Sequence, residues 1–310
     1  MTMKYDRLGF PIPPQFAPPL DEPVPSGRPP ARAQGGAGKK AFLIAVFLGL
    51  VVPGVLAPWA MPVVRSALVQ WSLERADALQ GRGDLDAAVV ALGRAIRWCR
   101  EPELLGELLC RRARLRLEDR DPAGARADVE RAIAVTPTAA APLRLRALVH
   151  VVANEPDAAL ADAQAAAEMA GRADPDALNF RAYVRALVGR DLPAALDDID
   201  AALAGSGAAT PAFLDTRGFI LHLLDRHQEA IDQLNLAIDE TQSSRRRLLG
   251  LAGRVDTDDL AFALRSIDQD LAVMLHPRGL ACRAIGLERQ ARQDFESAER
   301  KGYDASRGIF

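Results

Sequence analysis

Chemistry in this chain would have to come from its four histidines, its three cysteines or adjacent carboxylates such as Asp197-Asp198. His222 and His227 are five residues apart, which takes them off a shared helix face, and neither His150 nor His276 has ligand spacing to them. Adjacent residues on a helix diverge, so the paired carboxylates are interpreted as solvated faces rather than as a general acid and its base. None of these residues is predicted to form a metal site or a catalytic pair.

Cysteine usage adds no structural framework. Three cysteines are too few and too scattered for a disulfide scaffold or a zinc site. A disulfide between Cys99 and Cys110 is conceivable in an oxidising compartment, whereas unpaired buried cysteines are the commoner outcome. The sequence contains no Walker-type loop, Gly-x-Ser-x-Gly elbow, His-Glu-x-x-His or Cys-x-x-Cys. We therefore expect no enzymatic activity, no cofactor and no bound metal.

The composition bounds the fold class. Apolar residues make up 49% of the 310 residues but aromatic residues only 5%, which disfavours the aromatic and β-branched strands of sandwiches and barrels. Alanine, the best helix former, dominates instead, so we predict an all-α protein. The net charge of −2 provides no general attraction to nucleic acid, which is excluded as a partner.

Residues 1–40 contain nine of the 21 prolines, five glycines and no apolar periodicity. Such a segment buries too little surface to offset its ordering entropy, so it is predicted to be a disordered tail. Its Pro11-Ile12-Pro13-Pro14 stretch has the PxxP spacing that aromatic grooves bind as polyproline II. That spacing also arises by chance in proline-rich sequence, which favours a plain flexible tail.

Residues 41–64 form a run of 24 residues without a charge, preceded by Lys39-Lys40 and followed by Arg65. A helix of this length spans about 36 Å, enough to cross a bilayer. The length and the lack of a polar face argue against a buried core helix, and Pro58 in the would-be cleavage region argues against a removable signal peptide. We predict a single-pass anchor in the cell membrane. Lys39-Lys40 favour a cytoplasmic N-terminus, which leaves the rest of the chain outside the cytoplasm.

Residues 65–310 repeat one pattern. The pattern has four positions. A small residue is followed twelve positions later by an alanine, the middle alanine. Four positions after the middle alanine comes the third position, usually a larger apolar residue, and three positions after that comes the last alanine. Five copies are Ala76/Ala88/Leu92/Ala95, Ala113/Ala125/Val129/Ala132, Ala147/Ala159/Ala163/Ala166, Gly218/Ala230/Leu234/Ala237 and Gly279/Ala291/Phe295/Ala298. A further copy, Ala182/Ala195/Ile199/Ala202, has thirteen residues in its first gap, so its extra residue is placed in the turn near Asp191.

This spacing predicts two antiparallel helices per copy. The last three positions share one helix face, and the small residues let the paired helices approach each other. Turn signals such as Gly81-Arg82-Gly83-Asp84 separate the two helices. The middle alanines recur after 37, 34, 36, 35 and then 61 residues, and the long final gap leaves an insertion around residues 241–271. Its apolar residues have helical spacing, so we expect an added or extended helix that ends near Pro277.

The pattern resembles the tetratricopeptide repeat family, with the motifs Leu214-x-x-Arg217-Gly218 and Arg278-Gly279 in the fifth and sixth units. The resemblance covers about 245 residues and implies an α-helical-hairpin solenoid of about six units, in a membrane-anchored protein of bacterial type. Spacings of 34 to 37 residues make an α-solenoid with longer units the weaker alternative. Two departures stand out: Pro277 falls inside a first helix, and basic residues replace an expected aromatic at Arg116, His150 and Arg185.

The resemblance further implies that a concave groove binds a protein or peptide partner. Counted from the small residue of each first helix, the groove would be lined by Arg114, Arg144, Asn179, Tyr183, Asp215, Phe219, His222, His276 and Arg283. This mixed polar and aromatic set does not reproduce the lysine and asparagine clamp by which some relatives hold a carboxylate. A groove that is merely solvated would present many of the same side chains.

These features favour a membrane-tethered interaction scaffold, held in the membrane by residues 41–64 and binding a partner in its groove. The alternative is a structural envelope protein that self-associates by stacking its arrays. A third interpretation, an enzyme with an unfamiliar site in residues 241–277, is disfavoured because no nucleophile–base or metal spacing is present.

Overall fold

The computed structural model describes residues 57–304 except 172, 208 and 209, with the backbone alone for residues 57–60, 258 and 259. Within these residues the chain is all α-helical, with twelve helices and no strand. They are α1 (Ala57–Gly81), α2 (Leu85–Trp98), α3 (Pro102–Glu118), α4 (Pro122–Val135), α5 (Ala140–Val152), α6 (Pro156–Ala170), α7 (Pro175–Val188), α8 (Leu192–Gly205), α9 (Pro211–Leu223), α10 (His227–Leu249), α11 (Thr257–Ala284) and α12 (Glu288–Arg300). The predicted tail, residues 1–40, lies outside the described residues.

Consecutive helices pair into six hairpins, from α1–α2 to α11–α12. The chain forms two compact units whose boundary falls after Pro137. The first unit contains α1 to α4 and the second contains α5 to α12. Within each unit, neighbouring hairpins pack against each other, so each hairpin buries a face that it could not bury alone. The prediction of an all-α, tetratricopeptide-like array of about six units is confirmed.

Two of the repeated small residues, Gly218 and Gly279, lie where the paired helices leave no room for a side chain. Every residue of the repeated pattern is buried except Phe295, which is half-buried. A methyl group on Gly218 would lie 2.6 Å from Leu234 Cγ, and one on Gly279 would lie 2.6 Å from Phe295 Cε1. In the fifth and sixth hairpins the small residue therefore faces the third position of its own hairpin, and there the predicted reason for its size is confirmed.

A residue with positive φ, in the left-handed backbone conformation, follows the first helix of every hairpin. It lies seven positions after the small residue. These residues are Gly83, Arg120, Asn154, Gly189, Asp225 and Gly286. Glycine, asparagine and aspartate tolerate this conformation best, which explains most of the set. The fourth hairpin has a second left-handed residue, Asp191, with φ of 52°. Its extra residue therefore lies in the turn, as predicted.

The insertion around residues 241–271 extends two existing helices. α10 continues to Leu249, and α11 is 28 residues long and begins at Thr257. α11 runs through Pro277 to Ala284, so the prediction that this helix ends near Pro277 is wrong. A proline inside a helix costs about 3 kcal/mol. Pro277 is buried, and the packing of α11 against α9, α10 and α12 offsets that cost.

The end of the predicted membrane span is part of α1. Residues 57–64 form the beginning of this helix, which continues to Gly81 with Pro62 inside it. Residues 41–56 lie outside the described residues. Among the residues that are described, no helix has both the length and the apolar character needed to cross a membrane.

Ion pairs join the two helices of four hairpins. In each, the arginine just before the small residue binds the aspartate just before the third position: Arg112–Asp128, Arg146–Asp162, Arg181–Asp198 and Arg278–Asp294. In three of them, a second basic side chain four residues after the arginine reaches the same carboxylate. These second partners are Arg116, His150 and Arg185, the residues that replace the expected aromatic. The departure thus supplies a second nitrogen partner to a carboxylate that the hairpin buries.

Candidate functional site

The predicted groove residues lie on the first helices. Each is three positions before, one position after or four positions after the small residue of its repeat. These positions lie on one helix face. Arg114 belongs to the first unit, where it is half-buried, and the other eight belong to the second. In the second unit, α5 packs against α7, α7 against α9, and α9 against α11. We call the resulting surface the inner face; it consists of Arg144, Asn179, Tyr183, Asp215, Phe219, His222, His276 and Arg283.

Burial divides the inner face into a floor and a rim. The floor residues are each 5% exposed or less, and they are Arg144, Asn179, Tyr183 and Asp215. The rim residues are half-buried or exposed, and they are Phe219, His222, His276 and Arg283. A partner can contact the rim directly, whereas the floor side chains support the face from within. That these residues bind a partner stays a prediction.

Arg144 links α5 to α7 in the floor. Its Nη2 lies 3.9 Å from Asp174 Oδ1, and its guanidinium lies 5.7 Å from the centre of the Phe180 ring. The Asp174 carboxylate also caps α7 by accepting a 2.7 Å hydrogen bond from the Ala177 backbone N–H. Burial, and then the Asp174 charge, raise the pKa of the neighbouring Asp176 above its ordinary value, against the opposing effect of Arg144. Arg144 is therefore held in an acidic and aromatic cluster.

Asn179 and Asp215 occupy the same position in consecutive first helices. Asp215 is fully buried, at 0% exposure. Asn179 Oδ1 is buried and accepts no hydrogen bond from any described protein group. A buried acceptor without a donor costs about 1–3 kcal/mol, so packing alone does not favour asparagine at this position. Asn179 thus gives the floor a polar atom with unused bonding capacity.

His222 and His227 form a close pair beside the floor. His222 lies near the end of α9 and His227 begins α10, and their Nδ1 atoms are 3.2 Å apart. Burial, and then the His227 charge, lower the pKa of His222 below its ordinary value. The five-residue separation was expected to take the two histidines off a shared helix face, and they do lie on two different helices. That spacing argument applies to one continuous helix, whereas a tight turn here folds the second histidine back against the first.

Aromatic side chains surround the rim residues of the last hairpin. His276 stacks on Tyr303 at 4.2 Å between ring centres and lies 5.4 Å from Phe295. The Arg283 guanidinium is 5.2 Å from the centre of the Phe295 ring. Burial, and then the Arg283 charge, lower the pKa of His276. These four side chains, with Leu280, Glu299 and Asp304, line an open recess of about 490 Å³.

Three residues of this region were not among the predicted groove residues. Phe295 was assigned to the hairpin core as a third position, although it is half-buried and also faces the recess. Tyr303 follows α12 and has no place in the repeated pattern. His227 begins a second helix, and the groove positions were counted on first helices alone. The five-residue spacing to His222 across a turn signal was the one indication of its position.

The cysteines are three buried free thiols. The alternative of a Cys99–Cys110 disulfide is therefore not what the structure contains; Cys99 Sγ instead donates to the Glu101 carbonyl oxygen at 3.5 Å. Burial raises the pKa of Cys110 to about 12, which keeps it a protonated thiol and a poor nucleophile. Among the described residues, no three His, Cys, Asp or Glu side chains are arranged as metal ligands.

Six helical hairpins with this spacing define the chain as a tetratricopeptide-like array. No protein-family model matches it, and no curated protein matches it. Similar solved structures include a tetratricopeptide repeat protein from Parabacteroides merdae, 19% identical, covering 77% of this chain and 95% of that chain with a TM-score of 0.46. The MamA protein is 14% identical, covering 58% of this chain and 96% of that one with a TM-score of 0.41. A chain of the APC/C hetero-tetramer Cut9-Hcn1 is 13% identical, covering 84% of this chain and 52% of that one with a TM-score of 0.45.

Proposed function

We propose that this chain is a membrane-tethered scaffold that binds a partner protein or peptide on the inner face. The observation that carries the proposal is the polar and aromatic character of the inner face on four adjacent first helices. Hairpin stacking needs small and apolar residues at its contacts, and the repeated alanines provide them. Arg144, Asn179 and Asp215 are buried without belonging to the four arginine–aspartate pairs that join the hairpins, and burying such groups costs free energy.

The rim offers the chemistry of a protein interface. Phe219 is half-buried and packs against the apolar cluster of α7, α8 and α9, so part of its side chain remains accessible. Arg283 is exposed and is oriented by its contact with Phe295. Aromatic residues and arginine contribute disproportionately to binding at interfaces. We therefore place the main contacts with a partner at Phe219 and Arg283.

The tether is residues 41–64. The uncharged run in the sequence supports it, as does α1, because residues 57–64 belong both to that run and to the first helix of the first hairpin. A cytoplasmic N-terminus then leaves the array outside the cytoplasm. Protease protection in intact cells tests this orientation, because an array outside the cytoplasm is degraded by added protease while the N-terminal tail is not.

The partner-binding proposal is tested by affinity enrichment of the full-length protein from native membranes in mild detergent. The Phe219→Ala/Arg283→Glu double variant changes the rim, and Leu236→Ala/Arg247→Glu is the matched control on the exposed surface of α10. We expect the control to recover the same partner as the wild type and the rim variant to recover about tenfold less. Equal recovery by both variants would remove the inner face as the binding surface. Concentration-dependent oligomers in light scattering, unaffected by the rim changes, would favour self-assembly instead.

A further inference from the structure

We propose that His222 and His227 form a two-histidine site for a divalent transition metal ion such as Zn²⁺, bound through both Nδ1 atoms. The two nitrogens lie 3.2 Å apart, and the rings are inclined by 44° rather than stacked face to face. Zinc–nitrogen bonds are about 2.0–2.1 Å long, so two nitrogens at this separation subtend an angle of about 100° at one ion. That angle is close to the tetrahedral value that zinc adopts in proteins.

The second nitrogen of His227 has the environment of a ligand histidine. Its Nε2 lies 3.6 Å from Asp225 Oδ1. A metal-binding histidine usually directs its other N–H toward a carboxylate, carbonyl or water, which fixes the tautomer. Asp225 thus favours the form of His227 that carries its proton on Nε2 and leaves the Nδ1 lone pair available.

The surroundings keep the first histidine neutral. His222 is half-buried, and the groups that act on its charge are His227, Asp225 and His276 of the neighbouring α11. Burial is the largest cause of the lowered pKa of His222, and Asp225 opposes it. When both rings are neutral, metal binding through the two Nδ1 atoms moves one proton from Nδ1 to Nε2 and leaves the other in place.

The site is open on one side. The His227 side chain is 18% exposed, which gives an ion access from solvent. No third His, Cys, Asp or Glu ligand is present among the described residues, so water fills the remaining coordination positions. The ion would lie at the rim of the inner face, next to the proposed binding surface for a protein partner. Its binding would not require that partner. Zinc binding and partner binding can therefore fail independently.

The test is calorimetric titration of the metal-free, full-length protein in detergent with Zn²⁺ in a non-chelating buffer near neutral pH. We expect one equivalent to bind, and His222→Ala and His227→Gln each to weaken the affinity about tenfold or more. His150→Ala is the matched control, because this half-buried histidine lies in another hairpin and contacts Glu155 and Asp162. The His150→Ala variant should bind Zn²⁺ with the same affinity as the wild type.

Two results would overturn the assignment. One is wild-type affinity in the His227→Gln variant, whose side chain lies at the partly exposed start of α10 and whose folding is checked by circular dichroism. The other is the absence of binding in the wild type, which would leave the pair as a histidine–histidine hydrogen bond. Binding that weakens as the pH is lowered would support the assignment, since protons compete with the metal for the imidazole nitrogens.

Discussion

Arg181 of α7 donates two parallel hydrogen bonds to Asp198 of α8, 2.8 Å from Nε and 2.6 Å from Nη2. The third nitrogen of the same guanidinium donates to Gln164 Oε1, on the second helix of the preceding hairpin, at 2.9 Å. One side chain thus closes its own hairpin and holds the hairpin before it. Only arginine can do this, because its planar head carries donors in fixed directions.

The last hairpin repeats the arrangement. Arg278 binds Asp294 within the hairpin and donates to Asn235 Oδ1 of the preceding second helix at 2.7 Å. In the fifth hairpin, Gln233 stands where the aspartate would be, and Arg217 instead pairs with Asp200 of the preceding second helix at 2.7 Å. The arginine before the small residue therefore keeps the contact between hairpins even where the contact within the hairpin is lost.

Removing Asp198 should destabilise the second unit strongly. Asp198→Ala leaves Arg181 and Arg185 partly buried without their shared carboxylate, and breaking such a pair costs about 3 kcal/mol. Asp157→Ala is the control, because its pair with Arg190 is exposed and worth less than about 1 kcal/mol. Denaturant unfolding of the full-length protein measures both free energies. Equal losses in the two variants would contradict the assigned role of the buried carboxylate.

Restoring the missing aspartate should stabilise the fifth hairpin. Gln233→Asp places a carboxylate opposite Arg217, as in the four hairpins that have the pair, for a gain of about 0.5–1 kcal/mol. The same change in an Arg217→Ala background should give no gain, and the double-mutant cycle isolates the pairwise term. A stabilisation that persists without Arg217 would show that the effect comes from another source.

Adding a methyl group at the small residues should cost about 1–3 kcal/mol, because it overpacks the contact between paired helices. In Gly218→Ala the new atom meets Leu234, and in Gly279→Ala it meets Phe295, both at 2.6 Å. Gly93→Ala is the control, since its methyl group meets a single atom, Arg112 Nη1, at 3.2 Å and alanine favours the helix. Thermal or urea unfolding should separate the three variants. An unchanged free energy of unfolding in the Gly218→Ala variant would show that the paired helices can move apart freely.

Stability should fall on mild acidification. Burial lowers the pKa of both His222 and His276 in the folded chain, whereas an unfolded histidine titrates near a pKa of about 6.5. The unfolded state therefore binds more protons, and the free energy of unfolding decreases as the pH falls below about 6.5. His222→Gln/His276→Gln should flatten this dependence between about pH 7.5 and pH 5. An unchanged slope in the double variant would assign the titration to other groups.

The repeated alanines were sufficient to predict the fold. Their spacing reports which residues meet in a hairpin, so the number of hairpins and the extra residue near Asp191 followed from the sequence. Pro277 was misjudged because local propensity disfavours a proline inside a helix, while the packing of α11 on three neighbouring helices outweighs it. Packing of that kind is not visible in a single segment.

The side-chain chemistry was less predictable. Arg181 and Asp198 are 17 positions apart, and the spacing acquires meaning only after the two helices are known to be antiparallel. The proximity of His222 and His227 depends on a turn whose conformation the residue types do not specify. Tyr183 and Asp215 were correctly placed on the first helices, but their burial depends on neighbouring hairpins. Periodicity predicts which side of a helix a residue occupies and not how deeply its neighbours cover it.

The central claim is that the inner face, rather than the outer surface of the second helices, binds the partner. Photo-crosslinking in intact cells tests it most directly, with p-benzoyl-phenylalanine placed at Phe219 on the rim or at Leu236, which is 54% exposed on α10. If the partner binds the inner face, position 219 gives a covalent partner adduct and position 236 gives none. An adduct from position 236 alone, or equal adducts from both positions, would contradict that claim.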